Sequence, residues 1–190
     1  MNGIDPTGRD CVNRSEGYFC DPAGSAIGEY RVPDAVLEKT GPLPDMGARY
    51  PSHHLYVAES SIADASPKLL NAAVEAVRND PTPGDDLPAT STGVKNDAGL
   101  PWPLADQVIS FTATDSNNNA VVANITLPYE HALNPGIVSQ GIRIENGRTI
   151  ITAVGEGHAL MSMIMNPLAQ ATFQSKLDSN LRAAFWKSSQ

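Results

Sequence analysis

From residue 107 onward, apolar and polar positions fall into regular periods. In Gln107 to Thr114, Val108, Ser110 and Thr112 alternate with Ile109, Phe111 and Ala113, the period-two pattern of a strand. The polar run Asp115-Ser116-Asn117-Asn118-Asn119 predicts a turn, and strands are predicted over 121–127, 137–145 and 148–154. Asn146-Gly147 joins the last two; both residues tolerate positive φ, so a type I′ hairpin is expected. After Asn166-Pro167, the residues Leu168, Phe173, Leu177, Leu181, Ala184 and Phe185 recur at helical spacing. They predict a closing helix whose apolar face covers one side of the sheet.

The first half is less regular. His53 to Ala58 predicts a short strand. Ser66 is a good N-cap and Pro67 a good first helical residue, because the missing N–H would be unpaired there anyway. Leu69, Leu70, Ala73, Val74 and Val77 then form one stripe, which Asn79-Asp80-Pro81 terminates. Residues 80–106 read as a long polar loop containing Leu100-Pro101-Trp102-Pro103-Leu104. Residues 1–50 are dense in turn formers, with an extended run near Ile27 to Val32. The pattern predicts a connector over 1–45 and a compact domain over 46–190. The fold class is α+β: a four- to five-stranded antiparallel meander, two main helices and a loop-rich N-terminal third.

Composition narrows the picture. A hydrophobic fraction of 41% and a charged fraction of 18% suit a globular chain. The net charge of −8 repels phosphate backbones and disfavours general nucleic-acid binding, while leaving room for a local basic patch. No stretch approaches the roughly 18 apolar residues of a spanning helix, so no membrane span is expected. Met1 to Asp10 lacks a basic region followed by an apolar run, so export would depend on another protein. Cys11 and Cys20 can pair or remain as thiols; their spacing decides neither.

Met1 to Asp10, with Asn2, Asp5, Pro6 and Gly8, resembles the end of the core of Rhs/YD-repeat proteins. There a stretch N-P-x-N-x-x-D-P-x-G closes the repeat shell and variable toxin domains follow. A second Asp-Pro-x-Gly occurs at Asp21-Pro22-Ala23-Gly24. The resemblance implies a secreted antibacterial effector, carried by a parent Rhs shell and acting in the cytoplasm of a target cell. It also implies a cognate immunity protein as partner. Asp-Pro-x-Gly is otherwise an ordinary turn.

His131 and His158 are the leading candidate site. Both are placed near strand ends, where a rigid sheet presents side chains to a cleft, and two near-neutral imidazoles can share proton transfer. The arrangement is similar to metal-independent ribonuclease toxins of the barnase and colicin type. That likeness implies that His131 takes the proton of a ribose 2′-hydroxyl and His158 protonates the leaving oxygen. Arg143 or Arg148 would stabilise the charged phosphorane, with Glu156 and Glu130 beside the site, and RNA would be the substrate. No cofactor and no metal are expected. His53, His54, His131, His158, Glu130 and Glu156 could supply ligands, but H-E-x-x-H is absent and adjacent strand histidines point apart. Ser91, Ser110, Ser139 and Ser162 lie in no G-x-S-x-G. Thr90-Ser91-Thr92 with Glu156 faintly resembles an ADP-ribosyltransferase pattern, which would make NAD the substrate. A non-enzymatic binding module is the alternative of a different class. Met161, Met163, Met165, Trp102 and Trp186 read as packing residues, and Phe185-Trp186 could dock on a partner.

Overall fold

The helix predicted after Ser66 forms over Pro67–Asn79, with the Ser66 hydroxyl accepting a hydrogen bond from the Leu69 N–H. Leu69, Ala72, Ala73 and Val77 are its buried face. In this computed structural model the described residues are 11–22, 25–46, 53–84, 87–100, 104, 106–132, 134–158 and 162–190. In chain order the elements are β1 (Cys11–Arg14), β2 (Gly17–Cys20), β3 (Tyr30–Arg31), α1 (Asp34–Thr40), β4 (His54–Ile62), α2 (Pro67–Asn79), β5 (Val94–Asp97), β6 (Asp106–Thr114), β7 (Ala120–His131), β8 (Gly136–Glu145), β9 (Arg148–Gly157) and α3 (Ser162–Ser188).

The fold is α+β, built on a large antiparallel sheet. Six strands lie in the order β4-β9-β8-β7-β6-β5: a five-strand meander with β4 added beside its last member. This exceeds the four to five strands expected from the pattern. The additional strand is β5, inside the stretch read as a loop. Val94-Lys95-Asn96-Asp97 has no apolar alternation to mark it, and its strand form comes from pairing with β6. The predicted hairpin is present, with Glu145 opposite Arg148 and positive φ at Asn146 and Gly147.

Both faces of the sheet are covered. Strand alternation sends Val121, Ala123, Ile125 and Leu127 of β7 to one side, where they meet Tyr18, Tyr30, Val32 and Val36. Val122, Ile142, Ile151 and Ala153 face the other side, against Leu69, Val77, Phe173, Leu177 and Leu181 of α2 and α3. Residues 11–46, all but the last within the stretch 1–45 expected as a connector, therefore contribute a layer of the core. They form a three-stranded sheet β1-β2-β3 and the helix α1. The buried Cys11–Cys20 disulfide joins directly paired residues of β1 and β2. The Tyr30 hydroxyl and Ser139 Oγ, 2.6 Å apart and buried, tie this layer to β8. These strands are two to four residues long, too short to register as a hydrophobic period.

The closing helix starts at Ser162, upstream of Asn166-Pro167, and carries Pro167 within it. Its glutamines close the free edge of β4. Gln170 Nε2 donates to the Val57 carbonyl at 2.9 Å, Gln174 Nε2 to the Glu59 carbonyl at 2.8 Å, and Gln174 Oε1 accepts from the Glu59 N–H at 3.2 Å. No helix among the described residues is long and apolar enough to cross a membrane. The motif residues Asn2, Asp5, Pro6 and Gly8, and Ala23, Gly24, Trp102 and Met161, lie outside the described residues.

Candidate functional site

Between the sheet and α3 lies a cavity of about 330 Å³. Its floor follows from strand register. Tyr56 of β4 is opposite Gly155 of β9, Gly155 opposite Val138 of β8, and Val138 opposite Asn124 of β7. All four residues line the cavity. One row nearer the strand ends, His54 is opposite Gly157 and Gly157 opposite Gly136. Ala169, Thr172, Phe173 and the half-exposed Leu168 of α3 form the roof.

The glycines explain the shape of the floor. A methyl group on Gly155 would collide with the Tyr56 ring, and one on Gly157 with the Pro135 carbonyl and the His54 ring. The two rings of β4 therefore reach sideways across β9 in space that the missing side chains leave. This is the structural use of Gly155-Glu156-Gly157. The Tyr56 ring also packs against Phe173, with centroids 6.0 Å apart.

A row of buried amides and a hydroxyl holds one wall. Asn96 Nδ2 donates to Ser110 Oγ at 3.0 Å, Ser110 Oγ to Asn124 Oδ1 at 2.6 Å, and Asn124 Nδ2 to the Pro81 carbonyl at 3.0 Å. Gln140 Nε2 donates to the same carbonyl at 2.7 Å. Side chains of four successive strands thus pin the segment after α2, including Thr82 and Pro83 of the cavity wall, onto the sheet. Asp106 Oδ2 accepts from the N–H groups of Gly99 and Leu100, each at 3.2 Å, and sets the lip.

His131 lines the cavity and is buried. It is the last residue of β7, rather than part of the connection after it. The register between β6 and β7 breaks so that Val108 is opposite Thr126 while Asp106 is opposite His131. Within this bulge Tyr129 is fully exposed at φ 64°, a left-handed conformation costly for an aromatic residue. The bulge returns His131 to the cavity face, a known use of such irregularities. Burial pushes the His131 pKa down to about 4, opposed only in part by the charge of Asp106. The ring is therefore neutral at ordinary pH.

Of the other predicted site residues, His158 shares this end of the sheet, and the rest lie elsewhere. His158 is just past β9, its N–H donating to the Pro135 carbonyl at 3.3 Å; it is near the strand end that carries His131. Glu156 adjoins the cavity through its strand, but alternation sends its carboxylate to the opposite face, 3.1 Å from His53 Nε2. Glu130 is exposed and paired with Lys95. Arg143 and Arg148 sit at the Asn146-Gly147 end of the sheet. Arg143 bonds Glu59, Glu145 and Thr152, and Arg148 bonds Ser61. Arg148 is eight positions from Glu156 on one strand, about 26 Å at ~3.3 Å per residue. The histidines therefore cluster at the end of the sheet opposite the hairpin, and the arginines do not join them. The antiparallel run of β8 and β9 imposes this, since the residues flanking a tight turn and those ending its strands are a full strand apart. Tyr56, Asn124, Thr126 and Phe173 were missed as site residues, and His54 was singled out only as a possible metal ligand. The available signal was the pair of glycines flanking Glu156, opposite a strand carrying two rings.

No protein-family model matches this chain, and no curated protein sequence matches it. Solved structures with some likeness include that of Ara h 8.0201, with 14% identity and a TM-score of 0.44 over 70% of this chain and 98% of that one. Norcoclaurine synthase from Thalictrum flavum, in complex with dopamine and hydroxybenzaldehyde, has 12% identity and a TM-score of 0.42 over 68% and 84%. Ginseng major latex-like protein 151 from Panax ginseng has 8% identity and a TM-score of 0.41 over 70% and 97%. All three scores fall below one half, too low for the neighbours' activities to bear on this chain.

Proposed function

We propose that this domain binds an uncharged, mainly apolar small molecule in the cavity beneath α3. The observation that carries the reading is the cavity itself, about 330 Å³, with Tyr56, Val108, Val138, Leu168 and Phe173 among its walls. Small-molecule sites span roughly 300–1,000 Å³ and combine apolar walls with a few convergent polar groups. Here those groups are His54, Tyr56, Asn124, Thr126 and His131. Among the described residues the wall holds no Lys or Arg, and His131 is neutral, so a phosphate or carboxylate would enter without a counter-charge. This favours the binding-module reading over RNA or NAD cleavage.

Nile red, an uncharged dye whose emission rises in apolar surroundings, tests the reading. Saturable one-to-one binding is expected, and Val138→Trp, which fills the floor, should abolish it while the protein keeps its fold. Failure of the wild type to bind, or undiminished binding by the folded variant, would overturn the reading. Delivery as the tip of an Rhs shell is a separate proposal resting on Asn2, Asp5, Pro6 and Gly8. It expects growth arrest when the chain is expressed in a bacterial cytoplasm, relieved by the cognate immunity protein; unimpaired growth counts against it.

A further inference from the structure

Tyr56 stands apart from the two other buried strand tyrosines, of which Tyr18 donates its hydroxyl to the Pro44 carbonyl at 2.7 Å. Tyr30 is buried and its hydroxyl is satisfied by Ser139 at 2.6 Å. Tyr56 is only 7% exposed, and among the described residues its hydroxyl has no hydrogen-bond partner. The cause of its raised pKa is burial alone, whereas the Tyr30 phenol is also influenced by Ser139 and Glu156. A raised pKa keeps the phenol protonated and hence a donor. The position of that donor is set by the backbone. The ring crosses β9 beside Gly155, with Cε1 and Cζ nearest to where a side chain on the glycine would begin and the hydroxyl next, and Gly155, Val138 and Phe173 all line the cavity. Two features keep the ring there: a glycine that admits it and an aromatic contact with Phe173 that steadies it.

We propose that the Tyr56 hydroxyl is the specificity-determining donor of the cavity, selecting ligands that present an uncharged oxygen acceptor, such as a ketone, at the floor above Gly155. The inference rests on the cavity-binding reading and names its ligand class. Walls of Val108, Val138 and Phe173 grip the hydrocarbon body without direction. The single donor at the floor fixes which end enters and which functional group it carries. A site built to hydrogen-bond an oxygen rejects the analogue lacking it, because the donor then stays unpaired.

The test uses two ligands of the same shape, 2-acetylnaphthalene and 2-isopropenylnaphthalene, which differ by a carbonyl oxygen in place of a methylene. Each is titrated against Nile red bound to the wild type and to Tyr56→Phe. The variant should lose roughly three- to tenfold in affinity for the ketone, the worth of one neutral hydrogen bond, and keep its affinity for the hydrocarbon. Equal losses for both ligands would mean that the ring only packs, and no loss for either would mean that the hydroxyl is idle; each result overturns the inference while leaving the cavity reading intact. The ligand-free protein supplies an independent readout. Tyr56→Phe should melt at the wild-type temperature or above, since no bond within the protein is removed. A clear drop would reveal a structural partner and also overturn the inference. If Nile red itself fails to bind the wild type, the cavity reading falls, and the inference with it.

Discussion

His131 shows how far one side chain's chemistry depends on where the chain puts it. Free in solution the imidazole titrates near 6.5; buried at the end of β7, it holds its proton only below about pH 4. Between those values the unfolded chain binds a proton that the folded one refuses. Its contribution therefore leaves stability highest above about pH 6.5, lowers it as the pH falls towards 4, and adds no further change below that. The whole drop is on the order of 3 kcal/mol. Urea midpoints measured across this range should show the decline, and His131→Gln should flatten that part of the profile. An unchanged slope in the variant would assign the effect elsewhere. The scarcity of histidine in the sequence was enough to single out His131. Tyr56 offered no such signal, because a tyrosine on a strand reads as packing until its hydroxyl is seen to lack a partner.

At the scale of elements, β4 and β9 work as one surface. Gly155 leaves a trough on β9 that the Tyr56 ring fills, and Gly157 leaves one that the His54 ring shares with the Pro135 carbonyl. Gly155→Ala should destabilise the protein by about 1–3 kcal/mol, as inserting a methyl group into a packed site does. In a Tyr56→Ala background the same change should cost under about 1 kcal/mol, because the ring it displaces is gone. Equal costs in both backgrounds, measured by denaturant unfolding, would show that the glycine is needed for its backbone alone. The strands β6 to β9 and the helix α2 were legible because each spans several periods of its own pattern. β5 was not, since Lys95, Asn96 and Asp97 are polar and owe their order to partners: Asn96 bonds Ser110 and both backbone groups of Leu87. The cavity was illegible for a related reason. It is a space enclosed by α3, β4 and the meander together, and no one segment encodes it.

On the scale of the whole molecule, the sheet is enclosed by α2 and α3 on one side and by residues 11–46 on the other. Because the latter share a core with β6 to β9, the chain should unfold as one unit. Near-ultraviolet signals from Tyr18 and Tyr30 and far-ultraviolet signals from the helices are expected to share one denaturant midpoint. Reducing Cys11–Cys20 should lower that midpoint by the equivalent of about 2–3 kcal/mol, the constraint of a short closed loop on the unfolded chain. An early separate transition would instead mark residues 11–46 as a detachable unit. Gln170 and Gln174 give α3 a second task besides roofing the cavity. They occupy the same backbone groups that an incoming strand would need, at Val57 and Glu59. Lifting the helix would turn β4 into a template for another chain. The helix that roofs the cavity thus also withholds this edge from strand pairing with a neighbouring copy.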